Sequence, residues 1–377
     1  MIPIARPVLG EEEINAVKEV FKSGQLAQGP KVKEFEERFA DYVGTKYAVA
    51  VSNGTAALQL ALIALGVRQG DEVITSPLSF FASASSILLI GAKPVFVDVE
   101  ERTYNMDPEK IRQAITPKTK AIMVVHLHGH PANIDPILEI AREENIPVLE
   151  DAAQAHGAEY KGKKAGSLGD AATFSFYATK NMTTGEGGMV TTNSEEVAEV
   201  VSLLRHHGQT SRYVHEYLGY NMRMTEFQAA IGLIQLEKLD ANNERRRKIA
   251  KKYSEELSDL DELVLPVEEP WAKHSWHLYA IRTEKDRRDR LLRRLKELGV
   301  DARPTYPISL HKQPVMERLG DDKRNFLARI FPDISYAGVS MPVAERLTNE
   351  LFYIPIHHNL TEAEVLKVIE SVRKAIS

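Results

Sequence analysis

The sequence predicts an α/β protein built on a mostly parallel sheet, and three observations predict it. Short apolar runs of strand length, at Glu72 to Thr75, Pro94 to Val99, Ala121 to His126, Ile146 to Leu149, Ala172 to Phe176 and Met189 to Thr192, alternate with helical segments. Near Asp240 the pattern changes to a long charged helix, a strand-like His277 to Arg282 and a helix from about Lys285 to Leu298. Length is the third observation: 377 residues with 43% hydrophobic content suffice for a large α/β domain and a smaller one. The boundary is expected near residue 245, giving a large domain over 13–245 and a small C-terminal domain over 246–377, on which residues 1–12 are expected to pack.

Taken in order, Ala48 to Gly66 gives a short apolar strand that runs through Ser52, Asn53, Gly54 and Thr55 into an Ala/Leu-rich helix. Unpaired backbone N–H groups and the helix dipole make such a start an anion site, which suits a phosphate. In isolation, the motif is more often an ordinary Ser/Asn cap. The run Ile146, Val148, Leu149 reads as a buried parallel strand ending at Glu150 and Asp151. Open α/β sheets bind ligands outside the carboxyl ends of their strands. A carboxylate there can keep a pyridine nitrogen protonated and make a pyridoxal phosphate ring an electron sink, although an Asp after a strand is more often a turn residue.

Next, Thr173 and Ser175 alternate with Phe174 and Phe176, the period of a half-buried strand, and Lys180 lies just beyond its end. Gly185, Gly187 and Gly188 then bracket Glu186, so the backbone can turn tightly there. An amine desolvated among Phe174, Phe176 and Tyr177 should be less basic than a free one, which favours the neutral nucleophile that condenses with an aldehyde. A lone loop lysine is usually solvated, but the neighbouring segments fit the same cofactor. Further on, Leu218 to Leu239 holds a helix with Phe227, Ile231, Ile234 and Leu236 on helical spacing, preceded by Gly219 to Arg223, which composition reads as a loop. The final helix opens on a capping box, Thr361 with Glu364.

Composition excludes several functions. A net charge of −5, with Lys and Arg balanced by Asp and Glu along most helices, argues against a nucleic-acid footprint. The densest basic run, Glu244 to Lys248, reads as the solvated face of a helix that goes on to Glu255 and Glu256. No apolar run approaches the ~18 residues that span a bilayer, and the first residues lack the regions of a signal peptide; a cytoplasmic protein without membrane contact is expected. The absence of cysteine excludes disulfides and thiol chemistry, and with 27% charged residues it points in the direction of a thermophile. His126, His128 and His130 alternate, but Gly129 and Pro131 interrupt any strand and no carboxylate lies within the run. His206, His207, His357 and His358 have no ligand spacing with an acidic residue, so no metal site is expected. Nor is Gly185 to Gly188 a dinucleotide fingerprint, since it precedes a strand.

These segments, with Gly29 to Gly44 (GPKVKEFEERFADYVG), Phe80 in SFFASAS, and Ile354 to Val365 (IPIHHNLTEAEV), resemble the sugar-nucleotide aminotransferases of the DegT/DnrJ/EryC1/StrS family across essentially the whole chain. The resemblance implies a pyridoxal-phosphate enzyme of the aspartate aminotransferase fold (fold type I), with a mostly parallel seven-stranded sheet flanked by helices and a smaller C-terminal α+β domain. It implies that Lys180 bonds the cofactor covalently, that Asp151 pairs with the pyridine nitrogen, that Gln154 contacts the ring hydroxyl and that Phe80 stacks on the ring. Gly54, Thr55 and Ser175 would hold the phosphate, and Asn221 would reach the phosphate of a neighbouring subunit, making a homodimer with shared sites. The implied reaction moves an amino group from glutamate to a keto sugar nucleotide for amino-sugar and polysaccharide biosynthesis. Arg223, Tyr306 and His311 are candidates for gripping the donor carboxylate or the diphosphate. Glu186 resembles the relatives that aminate C4, with C3 amination as the alternative. Dehydratases of the same family carry histidine where this chain has Lys180, and a regulatory protein of the same fold would not need the intact site.

Overall fold

Strands buried on both faces need cover on both sides, and the chain assembles seven short strands, with most of their residues buried, into one sheet. The structure is a computed structural model that describes residues 1–319 and 334–376. The strands are β1 (Tyr47–Val51), β2 (Glu72–Thr75), β3 (Lys93–Phe96), β4 (Thr119–Val125), β5 (Val148–Asp151), β6 (Ala171–Ser175) and β7 (Gly188–Thr192). Their order is β1-β7-β6-β5-β4-β2-β3. β7 runs antiparallel to both of its neighbours, and the remaining pairs are parallel. The expected mostly parallel seven-stranded sheet is therefore present.

Two strands differ in extent from the sequence reading. Pro94 to Val99 pairs only as far as Phe96, because Asp98 turns away to accept the Val343 and Ala344 amides, both at 2.9 Å, at the start of the Pro342–Glu350 helix. Ile146 to Leu149 shifts to β5 because the ladders to β4 and β6 continue through Glu150 and Asp151. That extension carries Asp151 to the carboxyl edge of the sheet.

Alternation along each strand divides the large core in two. On one face the Gly54–Ala64 and Glu195–Arg205 helices bury Ala57, Leu60, Leu62 and Val201 against Val73, Met123, Leu149 and Val190. On the other, the Pro30–Val43 helix packs Phe35 and Phe39 against Phe174 and Phe176, with Phe39 edge-on to Phe174 at 4.9 Å between ring centroids. Gly232 sits under that helix, where a Cβ would come within 2.7 Å of the Phe35 ring.

A separate core lies in the C-terminal part, where Tyr253, Tyr279, Leu291, Leu295, Phe352, Ile354, Val368 and Val372 cluster around an antiparallel pair, Tyr279–Arg282 with Leu351–Ile354. Ile2 belongs to this cluster and exchanges backbone hydrogen bonds with Gly299 and Asp301, at 2.7 and 2.9 Å. The Glu226–Leu257 helix passes residue 245 unbroken, giving Leu233, Leu236 and Leu239 to the sheet-side core and Ile249, Tyr253 and Leu257 to the C-terminal one.

The stretch before that helix is more ordered than its composition suggests. Gln209–Ser211 and Val214–His215 form a short hairpin. Asn221 then bridges His206, and Arg223 bridges Val51, extending the sheet past β1. Backbone pairing at a sheet edge asks little of the side chains, so no core period marks it. Among the described residues no helix is long and apolar enough to cross a membrane.

Candidate active site

Strand alternation gives the two carboxylates at the end of β5 opposite surroundings. Glu150 is fully buried and accepts the amides of Gly166, Leu168 and Gly169 at 2.7, 2.7 and 2.8 Å, as well as His126 Nε2 at 2.9 Å. His126 Nδ1 accepts the Ala132 amide at 3.0 Å, so its hydrogen sits on Nε2, facing Glu150. Asp151 points the other way. It accepts Ser83 Oγ on Oδ2 at 2.7 Å and the Ala153 amide on Oδ1 at 3.3 Å.

Lys180 lies in the turn after β6, where its backbone amide donates to Tyr177 O at 2.9 Å. Its side chain is half-buried, and its amine makes no hydrogen bond or ion pair with the described residues. Burial pulls the amine down to about 8 from its ordinary 10.5, while the charge of nearby Asp151 acts in the opposite direction. At neutral pH roughly a tenth of such an amine is the free base, far more than for a solvated lysine. The expectation of a lysine made less basic by its surroundings is thus met in the structure, although Phe174 and Phe176 are turned into the core against Phe39 and His156.

The anion-binding end is set by close approach. Asn53 caps the Gly54–Ala64 helix by accepting the Ala56 amide at 2.9 Å. A Cβ on Gly54 would lie 2.7 Å from Ser175 Cβ, and one on Gly188 would lie 2.4 Å from Asn53 O. Glycine at both positions lets β6 and β7 press against the helix start, which brings the Ser175 hydroxyl beside the first-turn amides of Gly54 and Thr55.

Gln154 is buried just beyond the end of β5. Its Oε1 accepts the His128 amide at 2.8 Å and its Nε2 donates to Tyr306 Oη at 2.8 Å. His128 has φ 60° and ψ 2°, and its Nε2 meets Tyr353 Oη at 2.9 Å.

The other candidate residues are dispersed. Phe80 is 62% exposed, on the loop that leads into the Ala82–Leu89 helix carrying Ser83. Asn221 is exposed and accepts Arg223 Nε at 3.1 Å, while Arg223 Nη1 donates to His206 Nδ1 at 3.0 Å. Both border β1, whose continuation at Ser52 donates to Met222 O at 2.8 Å. Glu186 projects from the tip of the turn after Lys180, with its carbonyl accepting Gln228 Nε2 at 2.7 Å.

His311 departs from its expected role. Its ring is fully buried against Phe96, with Nε2 on Glu345 Oε1 at 2.9 Å, so it ties its segment to the Pro342–Glu350 helix and offers no exposed nitrogen to an anion. The alternating histidines diverge as well: His126 meets Glu150, His128 meets Tyr353, and His130 Nε2 accepts the Glu269 amide at 3.1 Å. Sequence reasoning missed Ser83 and Tyr353, and it singled out His128 only as one of three alternating histidines. Ser83 lies within the SFFASAS segment quoted for Phe80, whereas Tyr353 left no local signal.

An unpaired amine, a hydrogen-bonded carboxylate and a glycine-lined anion end fit an aldehyde cofactor carrying a phosphate, so the residues present suit pyridoxal phosphate. The fold and this site define a pyridoxal-phosphate-dependent enzyme. The chain belongs to the DegT/DnrJ/EryC1/StrS aminotransferase family, whose model it matches over residues 7–373. It is 41% identical to a GDP-perosamine synthase of Caulobacter vibrioides, over 100% of this chain and 98% of that one. It is 39% identical to dTDP-3-amino-3,4,6-trideoxy-alpha-D-glucose transaminase of Streptomyces venezuelae, over 95% and 90% of the two chains. The solved structure of NtdA from Bacillus subtilis, with bound PMP, superposes with a TM-score of 0.87 at 32% identity over 97% of this chain and 81% of that one. The protein is an aminotransferase that uses pyridoxal phosphate.

Proposed function

We propose that the protein transfers the amino group of glutamate to a keto sugar nucleotide, aminating C4 in preference to C3. The observation that carries the reading is the unpaired Lys180 amine of lowered basicity near Asp151, in a chain of this family. Bound pyridoxal phosphate supplies an electron sink and a carrier for the amino group. Lys180 Nζ would hold the cofactor and, once free, would take a proton from the donor carbon in the first half-reaction and deliver one to the sugar carbon in the second. Asp151, kept in place by Ser83 and the Ala153 amide, would set its carboxylate against the ring nitrogen and favour a proton there. Ser175 and the amides of Gly54 and Thr55 bind the phosphate, Gln154 donates to the ring hydroxyl oxygen, and Phe80 covers the ring.

The sugar nucleotide is supported by the names of the two relatives, and the C4 preference by Glu186 in GEGG. Arg223 is the candidate for gripping the donor carboxylate or the diphosphate. Exposed Tyr213, Tyr217, Leu218 and Tyr220, beside Asn221, support a second copy of the chain as partner, with Asn221 serving the neighbour's phosphate. We place the large domain over 13–245 and the small one over 246–377, with residues 1–12 on the small domain, and we assign the enzyme to the cytoplasm. The central experiment incubates the protein with glutamate and GDP-, dTDP- and UDP-linked 4-keto and 3-keto sugars, reading amino-sugar formation by mass. Absence of any product, or preference for 3-keto sugars, overturns the substrate or the position. Mixed dimers of Lys180→Ala and Asn221→Ala chains regain activity only where sites are shared.

A further inference from the structure

Gln154 has one amide and a fixed set of partners. An N–H group can only donate, so the His128 amide at 2.8 Å requires Gln154 Oε1 to face it. Nε2 therefore faces the Tyr306 side, and one of its two hydrogens goes to Tyr306 Oη at 2.8 Å. The second hydrogen has no acceptor among the described residues, and Gln154 is 3% exposed. A buried amide hydrogen without a partner costs free energy unless a ligand takes it.

Both partners are themselves held. His128 presents its amide from a left-handed conformation that is uncommon for a residue with a side chain, and its ring is fixed by Tyr353 Oη at 2.9 Å and lies parallel to the Tyr306 ring at 13°. Burial, with His130 adding to it, lowers His128 to about 3, so its ring stays neutral at working pH and the arrangement does not titrate away. Tyr353 belongs to the Leu351–Ile354 strand, and its backbone exchanges hydrogen bonds with Arg303 at 2.9 and 3.1 Å, three residues before Tyr306. The clamp thus joins the C-terminal part of the chain to a residue just beyond β5.

We propose that Tyr306, with His128 and Tyr353 behind it, is a positioning residue that fixes Gln154 as a hydrogen-bond donor to the cofactor's ring oxygen, instead of a residue that grips substrate. The inference rests on the pyridoxal-phosphate reading of the site and deepens it. A donor on the ring oxygen stabilises that oxygen as an anion and competes for it with the proton on the Lys180 nitrogen of the loaded enzyme. Losing the donor lets the oxygen share that proton more fully, so the proton is held to higher pH. The position of the C-terminal segment thereby sets the protonation of Lys180 with no substrate present.

The test titrates the visible absorbance of the substrate-free, cofactor-loaded protein against pH. Tyr306→Phe removes the acceptor that holds Nε2, Gln154→Leu removes the donor itself, and the double variant removes both. The midpoint is expected to rise by roughly half a unit to one unit in each single variant, and the double variant should rise no further than Gln154→Leu alone. KM for glutamate and for the sugar nucleotide should change less than twofold in Tyr306→Phe. An unmoved midpoint with a raised KM overturns the inference, as do additive shifts. If Tyr306→Phe does not fold, an unmoved midpoint in Gln154→Leu overturns it equally. Failure of the wild-type protein to bind pyridoxal phosphate at all would instead overturn the underlying reading.

Discussion

At the scale of single residues, the proposed chemistry depends on one amine, Lys180, and one carboxylate, Asp151. Lys180 is lowered to about 8 by burial despite the charge of Asp151. The rate at which cofactor-free protein captures pyridoxal phosphate should therefore climb with pH up to about 8 and then level, and a climb continuing toward 10.5 would show an ordinary lysine. Borohydride should fix the cofactor on Lys180, and Lys180→Ala should lose both that label and all turnover while unfolding at the wild-type temperature; a label on another lysine would refute the assignment. Asp151→Asn keeps the shape and the Ser83 contact but removes the charge. Turnover should fall by roughly 10²-fold with a smaller effect on cofactor binding, and near-normal turnover would remove Asp151 from the electron-sink role.

At the scale of elements, the site exists because strand ends and one helix start are packed unusually close. Gly54→Ala would place a methyl group 2.7 Å from Ser175 Cβ, between two elements rather than at the tip of a flexible chain. Overpacking of this kind typically costs 1–3 kcal/mol, and it separates the serine hydroxyl from the helix amides. Affinity for pyridoxal phosphate, read by absorbance titration, should drop roughly tenfold or more; an unchanged affinity would place the phosphate elsewhere. The same local logic explains what could be read in the sequence. Lys180, Asp151 and the Ser52 to Thr55 turn each sit where an apolar run ends, so strand periodicity points at them directly. Gln154 with Tyr306 could not be paired that way, since they are 152 residues apart and meet only after the C-terminal part docks. Nor could the edge bridges of Asn221 and Arg223, which are made by backbone groups. His311 misled for a related reason: its segment is polar in sequence, yet Glu345 and Phe96, both remote in the chain, enclose its ring.

At the scale of the whole molecule, many histidines are held neutral, and that gives the protein a characteristic response to acid. Burial lowers His128 and His156 to about 3 and His357 and His358 to about 4, takes His274 and His277 well below the ordinary 6.5, and lowers His130 and His206 as well. Neighbouring cations reinforce the effect, Lys180 beside His156 and His277, and Arg246 beside His357 and His358. In the unfolded chain these groups protonate as pH falls through 6.5, whereas in the folded chain they stay neutral to lower pH. The unfolded state then binds more protons, so stability falls with falling pH across that window. Glu100, whose carboxyl is raised by burial, works in the opposite direction, and Glu13, lowered to about 2, adds to the loss only below its ordinary 4.5. Above Glu100's raised range the histidines therefore dominate the response. Calorimetric unfolding at about pH 5 in buffers of different ionisation enthalpy should report an uptake of several protons. The unfolding temperature should decline steadily from about pH 6.5 downward, and His128→Gln should reduce the uptake by about one. An uptake near zero, with a flat unfolding temperature down to about pH 4.5, would mean that these rings reach water or an acidic partner and are protonated in the folded protein.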